Sequence, residues 1–419
     1  MTLACGIDFG TSNSSVALSD GQRPRLLELQ EGSTAVPTAL FYSFEDNTTT
    51  FGKEAAARYL SREEGRHLRA IKSLLGTGLY DELTQICNRR YAFSEILAEF
   101  LGFLHQAASS ELKRPAEQVV LGRPAFFVDD DPVADAKAQE QLEEAARLAG
   151  FKTIAFQFEP IAAALDYEQS VTSEEIALVA DMGGGTSDFS LVRVGPDLAR
   201  KPDRRDDILA FNGVHIGGTD FDRLLSMATL MPFLGFNSTL KTKGMSAPSW
   251  YFVDLATWYR VNFVYEPRVL TEIRGVRRDS AEPDKIDRLI RVVENRLGHA
   301  MLGRIEQAKI DLSGEPIARL SLADITNGMV LRIARRSFER SIAESLGRIE
   351  ARVRDLIRSA GIAPADVRTV FLTGGSSRVP AVRDAIVKCV PDAAVVAGDA
   401  FGSVATGLAI DAFRRFGRA

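Results

Sequence analysis

The sequence predicts an α/β fold of two related lobes, because one strand–turn–strand pattern occurs twice and strands alternate with amphipathic helices. The first copy has an apolar strand over residues 3–7, then Asp8, a turn at residues 10–12 and a strand over residues 16–18. The second copy has a strand over residues 176–180, then Asp181, a turn at residues 183–187 and a strand over residues 189–194. At 419 residues the chain exceeds what one hydrophobic core usually serves, which also predicts two or more domains.

Both turns combine glycines with hydroxyl side chains, a composition that suits phosphate binding. Glycine lets backbone N–H groups approach an anion closely, and Thr and Ser add donors. A strand follows each turn, whereas a helix follows the glycines of a P-loop or a Rossmann turn. An ordinary β-turn would explain one copy, but the agreement of two favours a polyphosphate held from both sides. The expected phosphate-binding residues are Gly10, Thr11, Ser12, Asn13, Gly183, Gly184, Gly185 and Thr186.

Asp8 and Asp181 occupy the same place in the two copies, at the end of the apolar strand. Carboxylate oxygens are hard ligands of the kind that Mg²⁺ or its bound waters prefer. The sequence therefore predicts that these two residues form a metal site.

In the first half, residues 1–36 predict a β-meander, with strands that include residues 25–29. A different segment, residues 37–92, follows and contains a helix over residues 52–60. Amphipathic helices are predicted over residues 94–112 and 132–149, with buried strands over 119–124 and 153–156. Gly150 is suited to the position just after a helix.

The second half repeats this order, with the hairpin followed by a strand over residues 208–211. A long excursion over residues 212–335 holds an aromatic stretch at 250–259, for which core packing is favoured over partner binding. The charged run at 200–207 predicts a solvated loop. A helix over residues 337–360, a buried strand over 370–373 and a helix over 379–389 complete the chain, the last with Pro380 in its first turn.

Composition argues against several classes of partner. The formal net charge of −5 disfavours nucleic acid and anionic membranes as partners. No apolar run has the length of a membrane span, and the first residues do not resemble a signal peptide, so we expect a cytoplasmic protein. The three cysteines and four histidines show no disulfide or metal-ligand spacing.

Seven segments resemble, in sequential order, the nucleotide-binding domain of the heat-shock-70 (DnaK-type) chaperones, and most of all the short YegD-like members. They are residues 6–14, 70–76, 122–127, 158–165, 181–188, 217–222 and 372–380. The resemblance implies a two-lobed actin-like ATPase fold of duplicated ribonuclease-H-like domains, each lobe with an inserted subdomain. Lobe I would be residues 1–174 with the insert at about 37–92, and lobe II residues 175–419 with the insert at about 212–335.

The resemblance also implies roles for particular residues. Lys72 would reach the terminal phosphate, and Glu159 at the lobe hinge would bind metal-bound water. Together with Thr186 and Asp188 these are the expected catalytic residues. Glu306, Lys309 and Ser313 face one side of a predicted helix and would contact the adenosine, although a plain helical ion pair would also explain Glu306 and Lys309. The remaining expected nucleotide-binding residues are Gly217, Gly218, Gly374, Gly375, Ser376 and Arg378.

Two departures from the family pattern bear on function. Phe401 stands where the chaperones usually carry an Asp near the adenine, and we expect no peptide-binding domain after the last lobe helix. We therefore expect a weak ATPase that binds ATP or ADP with Mg²⁺ and closes its lobes as a switch. It would be a monomer whose lobe closure is recognised by a protein partner or a nucleotide-exchange factor. A sugar-type small-molecule kinase of the same superfold and an actin-like filament or scaffold protein are the alternatives.

Overall fold

The computed structural model describes residues 3–21, 23–61, 63–124, 126–128, 131–198, 201, 204–241, 245–258, 260–398 and 402–417. The chain divides into two compact units. Unit 1 comprises Met1–His215, Glu350–Ser377 and Ile386–Ala419, and unit 2 comprises Ile216–Ile349 and Arg378–Ala385. The lobe boundary expected near residue 174 lies inside unit 1 and stays a prediction.

The described strands and helices are as follows. The strands are β1 (Ala4–Phe9), β2 (Asn13–Ser19), β3 (Arg25–Leu26), β4 (Ala35–Pro37), β5 (Ala39–Ser43), β6 (Thr49–Phe51), β7 (Gly65–Arg69), β8 (Leu83–Ile86), β9 (Arg89–Ala92), β10 (Gln118–Arg123), β11 (Thr153–Phe158), β12 (Glu175–Met182), β13 (Ser187–Val194), β14 (Ile208–Val214), β15 (Ile317–Ser321), β16 (Val330–Ala334), β17 (Val367–Thr373) and β18 (Ala394–Ala397). The helices are α1 (Gly52–Leu60), α2 (Phe93–Leu112), α3 (Pro132–Leu148), α4 (Glu159–Tyr167), α5 (Gly218–Phe233), α6 (Trp250–Leu255), α7 (Pro267–Asp279), α8 (Pro283–Glu294), α9 (Gly298–Gly314), α10 (Arg335–Ser341), α11 (Ala343–Ser359), α12 (Pro380–Val387) and α13 (Ser403–Phe416).

Two sheets of unit 1 share one topology, which confirms the predicted duplication. Their strand orders are β11-β10-β1-β2-β3 and β18-β17-β12-β13-β14, and β4 also pairs with β2. In each sheet the central strand pairs antiparallel with the next strand of its hairpin and parallel with a strand from later in the chain. The chain therefore has the two-lobed actin-like α/β fold that the sequence predicts.

The central strands of both sheets are almost wholly buried, which is why they appear in the sequence as continuous apolar runs. In β1, Ile7 and Phe9 are fully buried, as are Leu178 and Val179 in β12. Each strand continues past its apolar run, so that Asp8 lies within β1 and Asp181 within β12.

Helix α13 packs against β1 and α4 through glycines. A Cβ on Gly6 would overlap the backbone of α13 at Ala409, and a Cβ on Gly407 would overlap the carbonyl of Ala162 in α4. These close backbone approaches need residues without side chains. They fix the position of α4, whose first residue is Glu159.

Unit 2 contains α5 to α10, the β15–β16 hairpin, the first residues of α11 and most of α12. In the aromatic stretch, Tyr251 and Phe252 are buried, and Phe252 packs against Phe236 with ring centroids 5.5 Å apart. Core packing is thus confirmed for these two residues, whereas Trp250 is partly exposed and Tyr259 lies outside the described residues. Over the stretches that the structure describes, no helix has the length and apolar character required to cross a bilayer.

Three sequence predictions need correction. The strand expected over residues 25–29 is limited to β3, and the helix expected over 337–360 is two helices that break at Ile342. The charged run at 200–207 is not simply solvated, because Arg204 and Asp207 are buried. Arg204 binds both carboxylate oxygens of Glu168, at 2.7 and 2.6 Å, and Glu168 is 36 residues away in sequence.

Candidate functional site

The tips of the β1–β2 and β12–β13 hairpins meet inside unit 1. A Cβ on Gly184 would overlap the Ser12 hydroxyl, so the two turns approach as closely as a glycine permits. The sequence predicted that the turns face each other, and the structure brings their residues together. Backbone N–H groups and hydroxyls of both turns therefore lie around one point.

The first turn is held by Thr38, a residue that the sequence analysis did not single out. The Thr38 backbone N–H donates to the Ser12 carbonyl at 2.9 Å, and its hydroxyl donates to the Gly10 carbonyl at 2.7 Å. A hydrogen bond of 2.8 Å also joins the hydroxyls of Ser14 and Thr38. Thr38 is fully buried and follows Pro37, which pairs with Asn13. These bonds turn the Gly10 and Ser12 carbonyls toward Thr38, which suits a turn that presents N–H groups elsewhere.

The second turn is held by hydrogen bonds within the turn and by residues 374 and 376. The Gly183 N–H donates to the Thr186 carbonyl at 2.9 Å, and the Thr186 hydroxyl donates to Asp188 Oδ2 at 3.0 Å. The Ser376 hydroxyl donates to the Gly183 carbonyl at 3.0 Å. Gly374 has φ +78°, and a Cβ there would overlap the Met182 carbonyl. Gly374 and Ser376 thus lie against this turn. Gly375 and Arg378 are the first and last residues of a 3-10 turn, Gly375–Arg378, and Arg378 is exposed.

Lys72 and Glu159 form a buried ion pair. Lys72 Nζ lies 2.7 Å from Glu159 Oε1, and the side chains are 8% and 13% exposed. Lys72 lies in a 3-10 turn, Ile71–Leu74, that follows Ala70 in the left-handed conformation. Gly122 makes room for the acid, because a Cβ there would lie 3.2 Å from Glu159 Cγ. Two residues separated by 87 positions in the sequence are thereby brought together in one ion pair.

Burial and mutual repulsion perturb the carboxyl groups at this point. Desolvation, with a smaller contribution from Glu159, raises the pKa of Asp8 to about 7, although Lys72 opposes the rise. The pKa of Asp181 is raised well above its usual value by desolvation and by Glu159, Asp188 and Asp8. Burial alone would lower the pKa of Lys72, but Glu159, Asp8 and Asp188 raise it overall. Four acidic side chains, Asp8, Glu159, Asp181 and Asp188, therefore interact with the Lys72 ammonium group.

This excess of negative charge fits a divalent cation. Among the described residues no group of three or more His, Cys, Asp or Glu side chains has the arrangement of a metal site. Mg²⁺ usually takes one or two carboxylates and keeps waters or substrate phosphates as its other ligands. Asp8 and Asp181, two carboxylates whose ionisation is opposed by burial, are compatible with that mode of binding.

Unit 2 carries the remaining predicted residues. Lys309 in α9 is buried and lies 2.9 Å from Asp222 Oδ1, and its ammonium also donates to the Gly218 carbonyl at 3.1 Å. The Ser313 hydroxyl donates to the Lys309 carbonyl at 3.2 Å, and Glu306 is partly buried. Gly217 precedes α5, and its N–H donates to Asp220 Oδ2 at 3.1 Å. The Lys309 ammonium thus joins α9 to α5. Phe401, which the sequence analysis singled out, lies outside the described residues.

The duplicated sheets and their facing glycine turns define the actin-like ATPase fold. The chain belongs to the Hsp70 family, because the model of the Hsp70 protein family matches residues 4–233 and 284–413. It is 28% identical over 391 residues to the chaperone protein DnaK of Mycoplasmopsis synoviae (strain 53). That match covers 92% of this chain and 54% of the relative, so the chain spans about half the length of that protein.

Proposed function

We propose that the chain binds ATP with Mg²⁺ and hydrolyses it slowly to ADP and phosphate. The observation that carries the proposal is the meeting of the two turns at Ser12 and Gly184 beside the Lys72–Glu159 ion pair. Family membership and the similarity to a DnaK chaperone support the same function.

In this proposal the backbone N–H groups of the turns at residues 10–13 and 183–186 hold the phosphates, except that of Gly183, which donates to the Thr186 carbonyl. The turns are already braced by Thr38 and Ser376, so little reorganisation would be needed when the anion binds. Lys72 would share its positive charge between Glu159 and the terminal phosphate. Asp8 and Asp181 would hold Mg²⁺ or its waters, and the bound ion would neutralise phosphate charge.

Water is the proposed nucleophile. Glu159 and Asp188 are carboxylates able to accept a hydrogen bond from water, and the Thr186 hydroxyl is already oriented by its bond to Asp188. Catalysis would consist mainly of positioning and charge stabilisation, which is typical of phosphoryl transfer. We therefore expect slow turnover.

We further propose that Glu306, Lys309 and Ser313 take part in adenosine binding, as the family resemblance implies. Because the Lys309 ammonium is engaged by Asp222, its part would be to hold the two helices and to present its aliphatic stem. Gly217 and Gly218 would allow close approach of the backbone to the nucleotide.

The proposed output is a shift between lobe arrangements when ATP binds. A ligand can drive such a shift only through different affinities for the two arrangements. A protein partner or a nucleotide-exchange factor would bind one lobe arrangement in preference to the other, so that the chain acts as a chaperone-like switch. We propose that the chain acts as a monomer in the cytoplasm.

ATP turnover by the purified chain tests this function. We expect Mg²⁺-dependent release of phosphate that is lost in EDTA and absent from an Asp181→Asn variant purified in the same way, which controls for contaminating ATPases. Turnover that requires an added sugar would instead indicate a small-molecule kinase. Sedimentation of ATP-dependent polymers without phosphate release would indicate a filament protein, and either result would contradict the proposal.

A further inference from the structure

A second cation, Arg123, lies beside the Lys72–Glu159 pair. Its Nη2 donates to Asp135 Oδ2 at 2.7 Å, and its Nη1 donates to Gln139 Oε1 at 2.5 Å. The guanidinium carbon lies 5.3 Å from the Phe127 ring centroid and 5.0 Å from the Phe158 ring centroid. Helix α3 therefore holds Arg123 against two aromatic rings. Since both ends of the guanidinium are engaged, Arg123 is placed to support neighbours rather than to bind an anion.

Each of the two rings adjoins one member of the ion pair. Lys72 Nζ lies 6.0 Å from the Phe127 ring centroid. Phe158 immediately precedes Glu159 and pairs directly with Arg123 across β10 and β11. Asp135 completes the arrangement, because its Oδ1 accepts the Phe127 backbone N–H at 2.6 Å.

We propose that Arg123 is a positioning residue for the Lys72–Glu159 ion pair and acts through Phe127 and Phe158. The planar guanidinium can lie against two rings at once, which a lysine ammonium cannot do. Its side chain is only 13% exposed, a setting in which cation–π contacts are strongest. The consequence for catalysis rests on the proposed function, whereas the positioning itself is a property of the chain without nucleotide.

Acetylation of Lys72 by acetic anhydride, followed by mass spectrometry without nucleotide, tests the positioning. Lys309 is the internal reference, because it is also buried and paired with a carboxylate. We expect Arg123→Met to raise the acetylation rate of Lys72 about tenfold relative to that of Lys309. A change of this size is expected from the loss of desolvated cation–π contacts. Asp135→Asn should raise the acetylation rate of Lys72 by a smaller factor. Arg123→Lys should not return this rate to its wild-type value.

The matched control is Arg89→Met, which removes another guanidinium that lies over an aromatic ring, 4.5 Å from the Tyr91 centroid, and pairs with Glu95. It should leave the Lys72 rate unchanged. An unchanged rate in Arg123→Met, equal rises at Lys72 and Lys309, or full recovery in Arg123→Lys would overturn the proposal.

Turnover measurements add an independent check. If Arg123 acts through the ion pair, Arg123→Met should lower kcat about tenfold in the wild-type background and have no further effect beside Lys72→Met. Independent, multiplicative effects would contradict positioning through Lys72. A wild-type chain without turnover would contradict the proposed function alone, since the acetylation result does not depend on hydrolysis.

Discussion

Ser12 and Gly184 lie at the tips of two hairpins so close together that a Cβ on Gly184 would overlap the Ser12 hydroxyl. The neighbouring Gly185 differs, because a Cβ there would have no atom within 4 Å. Neither glycine has a φ in the left-handed region, so an alanine at either position is strained only by what it touches. The contact itself can therefore be tested by substitution.

We predict that Gly184→Ala lowers the free energy of unfolding by about 1–3 kcal/mol, the usual cost of overpacking. Ser12→Gly in the same chain should recover most of the loss, because it removes the hydroxyl that the new methyl group meets. Gly185→Ala is the stability control and should change the free energy by less than about 1 kcal/mol. Thermal unfolding checks all three, and equal losses in both alanine variants would show that the contact is not responsible.

The raised pKa of Asp8 predicts a stability that falls as pH rises from about 4 to about 7. In this window the unfolded chain loses the Asp8 proton while the folded chain keeps it, so the folded state loses its relative advantage. Glu159, Asp181, Asp188 and Lys72 face the same region and contribute to the profile.

Asp8→Asn keeps a neutral side chain at this position and should reduce the fall in melting temperature between pH 4 and pH 7, leaving the part that Asp181 contributes. It should also make the nucleotide-free chain more stable than wild type at pH 7.5. The measurement is the melting temperature of both proteins against pH. Parallel profiles would mean that Asp8 does not carry the pH dependence.

Lys72→Met should reduce ATP hydrolysis far more than it reduces ADP affinity, because ADP lacks the phosphate that the ammonium would neutralise. We expect a loss in kcat of about 100-fold, typical of removing one electrostatic contact in a transition state. Glu159 would lose its buried partner, so the melting temperature of Lys72→Met, compared with that of the wild type, serves to separate misfolding from the rate effect. Single-turnover rates and ADP titrations provide the comparison, and matched losses of both would assign Lys72 a structural role.

The buried Arg204–Glu168 pair predicts a large stability effect away from the site. Its side chains are 5% and 1% exposed, so Arg204→Met would leave Glu168 and Asp207 charged and buried. We expect a loss of about 3–5 kcal/mol in the free energy of unfolding. Arg147→Met, at the exposed pair with Glu143, should cost less than about 1 kcal/mol. Urea unfolding of the two variants measures the difference, and similar values would contradict the importance of burial.

The parts of the fold that the sequence predicted depend on local patterns. The apolar runs that precede Asp8 and Asp181, the helix α1 and the left-handed Gly150, with φ +114°, each leave a signal within a few residues. The shared topology of the two sheets then follows from the repeat, since similar segments form similar hairpins.

The parts that escaped prediction depend on partners distant in sequence. The composition of the charged run around Arg204 indicated a solvent-exposed loop. In the structure Arg204 is buried, and Glu168 neutralises its charge. The Asp222 partner of the Lys309 ammonium lies 87 positions away and leaves no local signal either. Thr38 carries no motif, and only its hydrogen bonds to the first turn reveal its place in the site.

Titration of ATP into the purified chain by calorimetry, with Mg²⁺ and with EDTA, tests the central claim most directly. The facing turns and the carboxylates Asp8 and Asp181 predict one binding event that is strong with Mg²⁺ and much weaker without it. Asp181→Asn should lose most of this metal dependence while keeping the far-UV spectrum of the wild type. The absence of ATP binding by the folded wild-type chain, or identical metal dependence in Asp181→Asn, would contradict the assignment of this site.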